Sequence, residues 1–284
     1  MSPSTSSDRP ARPVSFAGRL VFVAGGGSGI GEGIAQAYAN AGARVAVADI
    51  DPASAHAAAD RLIESGAEAI GLTLDVADPT AWRAAMDAAE AKFGSLALLC
   101  NSAGIVGAGK PVWEIPFDRF ARLFEITVYG VLHGIQCAVP RMRATGEHLV
   151  TVASMAALNS VPNLGDYSAA KSALLGLTDS LVEELEGSGI GVSIVFPGLV
   201  RTRLRETTAA VLGEPWMEKP AFAPQGYIEP DTVGRIVCDA VANANRYIFT
   251  HPDRRTAVAE HFAAIESGFD RLQAVGQRIA NPTA

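Results

Sequence analysis

The chain has 284 residues, of which 49% are hydrophobic and 19% charged, a composition that predicts a soluble protein with a substantial core. The net charge of −7 argues against nucleic acid as a general partner. The three cysteines lie far apart without a CxxC pair, and the five histidines show no ligand spacing, so we expect neither disulfides nor a metal site and favour a reducing, cytoplasmic setting.

Residues 1–14 are rich in Ser, Pro and Arg and contain no apolar run, which predicts a disordered leader and not a signal peptide. No stretch has the unbroken apolar length that is needed to span a bilayer, so membrane insertion is not expected. Because no repeat or domain break is visible, we predict one domain over residues 15–252 and an extension over residues 253–284.

The first predicted strand, residues 19–24, runs directly into a glycine turn and then into a helix over residues 32–40. The turn has the spacing Gly25-x-x-x-Gly29-x-Gly31, which differs from the commoner GxGxxG. Glycines let the backbone approach a pyrophosphate closely, and the N-terminus of the following helix favours its negative charge. The sequence therefore predicts a dinucleotide phosphate site here, although a glycine run alone is also compatible with a flexible loop.

The second predicted strand, residues 44–48, ends at Asp49, which Ile50 follows. A carboxylate at this place accepts hydrogen bonds from the adenosine ribose hydroxyls and repels a 2′-phosphate. No Arg or Lys interrupts the glycine turn. Both features favour NAD over NADP, the alternative being that Asp49 is merely a turn residue before Asp51.

Helices over residues 52–65 and 80–93 alternate with strands over residues 69–74 and 96–100. This alternation predicts a three-layer α/β Rossmann fold, a doubly wound parallel sheet of about seven strands with helices on both faces. Ligands bind outside the carboxyl ends of such strands. Polar or glycine residues follow four of these ends, at residues 25–31, 49, 75 and 101–104.

A long, mostly apolar helix is predicted over residues 117–145, before a strand over residues 148–153 that Ser154 ends. The next helix, residues 166–186, carries Tyr167 and Lys171 at i and i+4, so their side chains share one face. A nearby cation favours the phenolate and lowers the pKa of a tyrosine towards the working range. Taken alone, such a pair is more commonly a solvated helix face.

The sixth strand, residues 192–196, precedes a stretch that includes Thr202 and then a long loop over residues 203–228. We predict that this loop is a lid, since long apolar-rich loops after strand ends are usually functional. A helix over 230–243, a strand over 246–250 and a helical stretch over 253–279 complete the chain. The lid's aromatic and sulfur side chains favour a hydrophobic substrate, with core or subunit packing as the alternative: Trp216, Met217, Phe222 and Tyr227. Three arginines beside them either bind an acidic substrate or are solvated and anchor the loop, and the second role is favoured: Arg201, Arg203 and Arg205.

Over residues 16–250 the sequence resembles the short-chain dehydrogenase/reductase family. The resemblance rests on motifs in the family's order and spacing: Gly25-x-x-x-Gly29-x-Gly31, Asp75-Val76, Asn101-x-Ala103-Gly104, Ser154, Tyr167-x-x-x-Lys171 and Pro197-Gly198-x-Val200-x-Thr202. It implies an NAD-dependent oxidoreductase that transfers a hydride between nicotinamide and a secondary alcohol or ketone. Tyr167 would exchange a proton with the substrate oxygen, Ser154 would position that oxygen, and Lys171 would hold the nicotinamide ribose and lower the pKa of Tyr167.

The resemblance also implies the cofactor contacts. Asp75 and Val76 would border the adenine, Asn101 and Gly104 would line the cofactor channel, and Thr202 would reach the nicotinamide carboxamide. The full set of predicted cofactor-binding residues is Gly25, Gly27, Ser28, Gly29, Ile30, Gly31, Asp49, Ile50, Asp75, Val76, Asn101, Ala103, Gly104, Tyr167, Lys171, Pro197, Gly198, Val200 and Thr202.

Two positions depart from the family pattern. Ala24 replaces the usual Thr before the glycine turn, which removes a turn-stabilising hydroxyl without abolishing cofactor binding. Thr127 stands where the family usually has an Asn that helps to hold a water in the proton path to Lys171. A threonine hydroxyl would hold that water less firmly, so we count Thr127 as a catalytic residue and expect Thr127→Asn to leave activity equal or higher.

Two other functions stay open at this stage. One is a non-catalytic NAD(H)-binding sensor, and the other is a lyase or epimerase that uses retained NAD. The resemblance further implies a homotetramer, or a homodimer, assembled through the two long central helices and the last strand. The extension over residues 253–284 passes the family's usual end, and one expectation is that it covers the active site of its own or a neighbouring subunit.

Overall fold

A computed structural model describes residues 14–142, 147–213 and 226–280. Its centre is a seven-stranded sheet with the order β3-β2-β1-β4-β5-β6-β7, in which every neighbouring pair is parallel. This confirms the predicted fold class. The strands are β1 Leu20–Ala24, β2 Arg44–Asp49, β3 Ala69–Thr73, β4 Leu96–Asn101, β5 His148–Val152, β6 Gly191–Phe196 and β7 Tyr247–Phe249.

Helices cover both faces of the sheet, and apolar side chains from alternate strand positions pack beneath them. Along β1, Leu20 and Phe22 enter the core on one face, and Val21 and Val23 enter the core on the other. Since both faces of the sheet are buried, the strand sequences are continuous apolar runs and do not alternate between apolar and polar residues. The helices are α1 Gly29–Asn40, α2 Pro52–Glu64, α3 Pro79–Phe93, α4 Phe117–Phe124, α5 Gly130–Met142, α6 Gly165–Glu184, α7 Leu204–Leu212, α8 Pro230–Ala242 and α9 Arg255–Ala280.

The strand order reverses beside β1. Strands β2 and β3 lie on one side of it, whereas β4 to β7 follow on the other. The loops that leave β1 and β4 therefore diverge and open a crevice at the carboxyl edge of the sheet. Local chemistry fixes the helices that follow: Asp51 caps α2 and Asp78 caps α3, and each helix begins with a proline.

Most element boundaries agree with the predicted ones within three residues, but the predicted leader is one residue too long. The backbone N–H of Val14 donates to the carbonyl of Ala242 at the end of α8, at 3.1 Å, and the Val14 side chain packs on the core. Residue 14 is thus part of the domain, and residues 1–13 lie outside the described residues.

The predicted helix over residues 117–145 is wrong as a single regular helix. It consists of α4, a π-helical turn Glu125–Tyr129, and α5, and the prediction's last three residues lie outside the described part of the chain. Contrary to the prediction that no stretch could span a bilayer, Phe117–Met142 is long and apolar enough to do so by length and composition alone. Half of its most apolar window is buried, as in the core helix of a folded domain. A π-turn inserts an extra residue and often lies at a functional site.

The predicted lid loop is also wrong over its first part. Residues 204–212 form α7, which ends at Gly213 in a left-handed conformation with φ of 63°. The loop's prolines start only after this glycine, so nothing in the sequence prevents a helix before it. Three lid residues of the hydrophobic-substrate prediction lie outside the described residues: Trp216, Met217 and Phe222.

Candidate active site

An open cleft lies at the carboxyl ends of β1, β2, β4 and β5, with about 1030 Å³ of free space that includes solvent at its mouth. It is the crevice at which parallel sheets of this kind bind ligands. Fourteen of the residues predicted from the sequence line it, and the structure thereby brings them together: Gly25, Ser28, Gly29, Ile30, Gly31, Asp49, Ile50, Asp75, Val76, Ala103, Gly104, Tyr167, Lys171 and Thr202.

The glycine turn leaves no room for side chains. Gly25 has a φ of 74°, and a Cβ on it would lie 2.6 Å from the Cα of Ala103 on the loop after β4. A Cβ on Gly31 would lie 2.0 Å from the carbonyl oxygen of Gly25. The turn therefore presents bare backbone to the cleft, and α1 begins there at Gly29. Bare amide groups at a helix N-terminus fit the pyrophosphate of a dinucleotide.

The Asp49 carboxylate closes the far side of this turn. It accepts hydrogen bonds from the backbone N–H groups of Gly27, at 3.0 Å, and Asp51, at 3.2 Å. Burial raises the pKa of Asp49 above its usual value, and these hydrogen bonds oppose that rise. Asp49 thus stabilises the turn and also borders the cleft, whereas Gly27 holds the carboxylate from behind without lining the cleft. The position of the Asp49 carboxylate at the edge of the cleft fits an adenosine ribose.

Tyr167, Lys171 and Ser154 meet beside the cleft. The Ser154 hydroxyl lies close enough to Tyr167 to act on the pKa of the phenol. Lys171 Nζ donates to the carbonyl of Val152, at 2.9 Å, and lies 5.7 Å from the centroid of the Tyr167 ring. Ser154 Oγ also accepts a hydrogen bond from the backbone N–H of Ala156, at 3.1 Å, which orients the hydroxyl. The phenol and the ammonium are therefore side by side, as the i, i+4 spacing predicts.

Burial controls the charges of this group. It lowers the pKa of Lys171 to about 8, because the ammonium is almost fully removed from water. It raises the pKa of Tyr167, and the Ser154 hydroxyl offsets part of that rise. The resemblance implies that Lys171 lowers the pKa of Tyr167; in the structure, loss of solvation around the phenol outweighs any such effect.

Thr127 lies just behind the cleft, in the π-helical turn. A Cβ added to Gly104 would lie 3.5 Å from Lys171 Nζ and 3.6 Å from Thr127 Oγ1, so both polar atoms face one small space. The Thr127 side chain is fully buried, and its hydroxyl has no hydrogen-bond partner among the described residues. The geometry thus places Thr127 where a hydroxyl can reach the surroundings of Lys171, although Thr127 does not line the cleft itself.

Asn101 faces away from the cleft. It is 2% exposed and, together with Trp82, borders a small space next to the cleft that Val76, Ala103 and Ile126 also line. Neither its amide nitrogen nor its amide oxygen has a hydrogen-bond partner in the described part of the chain. A Cβ on Gly134 of α5 would lie 2.5 Å from the Asn101 Oδ1, so the amide packs closely against that helix.

The residues after β6 support the cleft from outside it. The N–H of Gly198 donates to Nδ1 of His251, at 3.1 Å, and Val200 forms a parallel bridge with Ile228. Pro197, Gly198 and Val200 do not line the cleft, whereas Thr202 does. A Cβ on Gly29 would lie 3.1 Å from the Thr202 methyl group, so this loop reaches the glycine turn.

One wall of the cleft comes from α7, which sequence reasoning missed. Leu204, Thr207 and Val211 line the cleft at i, i+3 and i+7, a helical spacing that would have indicated one face of a helix. The same helix is tied to the loop after β4, because Thr208 Oγ1 accepts a hydrogen bond from the N–H of Val106, at 3.0 Å. Six further lining residues were not predicted: Leu74, Ser102, Ile105, Ile126, Val152 and Ala153.

Asp166 is a second missed residue. It is fully buried and accepts hydrogen bonds from the N–H groups of Ala108, at 2.8 Å, and Tyr167, at 2.8 Å. A carboxylate in the first turn of a helix is stabilised by the helix dipole. Asp166 thus joins the start of α6 to the loop after β4 and fixes the backbone that carries Tyr167. The sequence feature that could have identified Asp166 is its place directly before Tyr167.

Comparison with known proteins agrees with this geometry. Residues 19–211 match the family model described as short chain dehydrogenase. A C alpha-dehydrogenase from Sphingobium sp. strain SYK-6 is 32% identical, and the match covers 88% of this chain and 86% of that protein. A 1-deoxy-11-beta-hydroxypentalenate dehydrogenase from Streptomyces exfoliatus is 31% identical, and the match covers 86% of this chain and 87% of that protein. A short chain dehydrogenase/reductase from Burkholderia phymatum, solved in complex with NAD, superposes with a TM-score of 0.82 at 30% identity, over 90% of this chain and 96% of that one.

Proposed function

Because the chain belongs to the short-chain dehydrogenase/reductase family, we propose that it oxidises a hydrophobic secondary alcohol, or reduces the matching ketone, with NAD as its cofactor. The observation that carries this proposal is the grouping of Ser154 and Tyr167 beside the buried Lys171, at a cleft whose other end is bare glycine backbone. No other part of the described chain combines an acid–base group with a surface that fits a dinucleotide.

NAD, when bound, supplies the hydride acceptor of the oxidation or the hydride donor of the reduction. Tyr167 Oη takes the proton of the alcohol hydroxyl in the oxidative direction and returns it to the carbonyl oxygen in the reductive one. Ser154 Oγ holds the same substrate oxygen by a hydrogen bond and so keeps it within reach of Tyr167. Lys171 uses one N–H on Val152, and the remaining N–H donors fit ribose hydroxyls.

NAD is proposed over NADP on the position of Asp49. A 2′-phosphate would approach a carboxylate that the structure holds in place through Gly27. Replacing it by the isosteric Asp49→Asn removes the charge and should lower the preference for NADH over NADPH by about tenfold, the value of a hydrogen bond to a charged group.

Asp51→Asn is the matched control, because Asp51 is exposed and an asparagine still caps α2. Fluorescence titration of both variants with NADH and NADPH measures the preference. An equal preference in Asp49→Asn and the parent protein would contradict the proposed role of Asp49.

The proposal of a hydrophobic substrate rests on the apolar wall of the cleft. Ile105, Leu204 and Val211 present apolar side chains beside the catalytic group, and Thr207 adds one hydroxyl. One relative is named a 1-deoxy-11-beta-hydroxypentalenate dehydrogenase, and this name supports a hydroxy compound as the substrate class. Aromatic, terpenoid and steroid-like secondary alcohols are therefore the compounds to offer.

The test follows NADH formation over a panel of secondary alcohols that increase in apolar size. We expect kcat/KM to rise with buried apolar area and to exceed the value for short aliphatic alcohols. Turnover only of small polar alcohols would contradict a hydrophobic substrate. NADH binding without turnover of any alcohol would favour a sensor, and retention of NAD through purification without net NADH formation would favour an epimerase or a lyase.

Exposed aromatic side chains support a homo-oligomer, which we propose to be a homotetramer. Phe117 on α4 is 84% exposed, and Tyr247 and Phe249 on β7 are 45% and 49% exposed. Exposed apolar surface of this kind commonly marks a subunit interface. Light scattering at micromolar concentration measures the assembly, and a monomer would contradict the proposal.

A further inference from the structure

The long helix α9 has almost no support from its own domain. It begins after the short turn Pro252–Arg254, and Val258 in its first turns packs partly against the core. From residue 259 to residue 272 every side chain is exposed except Ser267, which is half-buried. Since an isolated helix is only marginally stable in water, a helix of 26 residues needs an apolar face packed against something.

Such a face exists on α9, and its spacing is specific. Phe262, Ile265, Phe269 and Leu272 are 48%, 55%, 69% and 67% exposed, and they recur at intervals of three, four and three residues. Together with Val258 they occupy the a and d positions of consecutive heptads. We call these four exposed residues the α9 seam. An a/d seam is the surface that a helix offers to another helix in a coiled coil, and a surface helix on a globular core shows a broader stripe.

The polar side chains beside the seam favour a second copy as the partner. With Phe262 at position a, His261 occupies position g and Glu266 occupies position e. In a parallel pair of identical helices, g of one helix faces the e position five residues later on the other, so His261 of each copy faces Glu266 of its partner. The imidazole of one helix can thus donate a hydrogen bond to the carboxylate of the other, once on each side of the seam.

We propose that the α9 seam pairs in parallel with the α9 seam of a second copy of this chain. The occupant is a second copy because one sequence supplies both complementary halves, the apolar a/d positions and the opposed g/e side chains. The inference goes beyond the proposed function: it concerns no residue of the cleft, and it holds or fails independently of what the cleft binds.

Cysteine cross-linking in the full chain tests the pairing directly. In a parallel, in-register pair the two d positions face each other at a distance that a disulfide can span. Ile265→Cys should therefore form a covalent dimer under mild oxidation, and the three natural cysteines interfere little because two are buried and the third is partly buried. Ser267→Cys, two residues away at the outer f position, is the matched control and should stay largely uncross-linked.

The proposal is supported if the Ile265→Cys variant forms much more covalent dimer than the Ser267→Cys variant. Equal cross-linking of the two variants, or none, overturns it, and the seam then packs on another surface or another partner. Circular dichroism of both variants before oxidation confirms that each has folded.

A second variant tests whether α9 is paired. Phe269→Glu places a charge in the seam and should unpair α9, so that trypsin cleaves after Arg271 several-fold faster than in the parent protein. Asp270→Asn, at the neighbouring position outside the seam, is the control and should leave the cleavage rate unchanged. Equal cleavage rates in the two variants would overturn the pairing.

Discussion

Tyr167 and Lys171 occupy neighbouring positions beside the cleft, and burial acts on them in opposite directions. It raises the pKa of the phenol and lowers that of the ammonium to about 8, since each is driven towards its neutral form. The Ser154 hydroxyl is the group that opposes the rise at Tyr167. The proposed function therefore gives Ser154 two roles, positioning of the substrate oxygen and tuning of the acid–base group.

This arrangement predicts the pH dependence of alcohol oxidation. The oxidation needs Tyr167 in its proton-accepting form, so kcat/KM rises with pH from neutral into the alkaline range, as expected for a group whose pKa is raised. Ser154→Ala removes the hydroxyl that lowers this pKa, and its rising limb should move to still higher pH. Steady-state kinetics across this range measures the limb. A limb that stays in place or moves to lower pH would show that Ser154 does not tune Tyr167.

Thr127 gives a second prediction at the scale of single residues. Its buried hydroxyl faces the same space as Lys171 Nζ, so a longer amide can reach that space and the isosteric Thr127→Val cannot supply a polar atom there. We expect Thr127→Asn to keep or raise kcat and Thr127→Val to lower it several-fold with little change in the NADH dissociation constant. A large loss of turnover in Thr127→Asn would contradict the view that Thr127 simply takes the place of an asparagine.

Among the structural elements, β5 carries a buried titratable group outside the cleft. His148 Nε2 lies 2.8 Å from Ser193 Oγ on β6, and burial lowers the pKa of His148 to about 4. The folded protein therefore binds fewer protons than the unfolded chain between pH 6.5 and pH 4, and acidification through that window favours unfolding. The loss amounts to about 3 kcal/mol, from 1.36 kcal/mol per pKa unit.

Urea unfolding at pH 7 and pH 4.5 measures this effect. His148→Gln keeps a polar side chain but cannot titrate, so the difference in its free energy of unfolding between the two pH values should be smaller than in the parent protein by about 2 kcal/mol. The same pH difference in both proteins would mean that other groups control acid stability.

Helix α7 lines the region that we propose for the substrate, and the hydrogen bond from Val106 N–H to Thr208 Oγ1 ties it to the loop after β4. Thr208→Val removes the acceptor of the Val106 N–H and should raise the substrate KM about fivefold, the value of a hydrogen bond near 1 kcal/mol. NADH affinity should change little, because Thr208 does not line the cleft. Thr208→Ser restores the hydroxyl and should restore KM. An unchanged KM in Thr208→Val would show that α7 is held by packing alone.

The sequence predicts the sheet and the glycine turn well because both depend on local pattern: apolar runs set the strands, and glycines set the backbone approach at Gly25 and Gly31. It does not predict α7, because the apolar loop and its prolines obscured a nine-residue helix before Gly213. The π-turn around Thr127 depends on tertiary packing that no local pattern reports. The direction of the Asn101 side chain follows from the close packing of α5 at Gly134, a three-dimensional contact. Burial likewise decides the pKa of Tyr167, which i, i+4 spacing alone could not give.

At the scale of the whole molecule, the reversal of strand order beside β1 explains why residues from distant parts of the chain share one cleft. The glycine turn follows β1, Asp49 ends β2, Gly104 lies beyond β4, and Tyr167 and Lys171 come from the helix after β5. Parallel strands place these ends on the same edge of the sheet, so the proposed dinucleotide surface and the proposed acid–base group are adjacent by topology.

The proposed function depends most on Tyr167 as the acid–base group, beside a dinucleotide surface that its hydroxyl does not form. The most direct test measures kcat and the NADH dissociation constant of Tyr167→Phe, which keeps the ring and removes only the hydroxyl. We predict that kcat with the best secondary alcohol falls by about 10²- to 10⁴-fold, while NADH binds within about threefold of the parent protein. Turnover that survives the loss of the hydroxyl would contradict this role and move the proton transfer to another group.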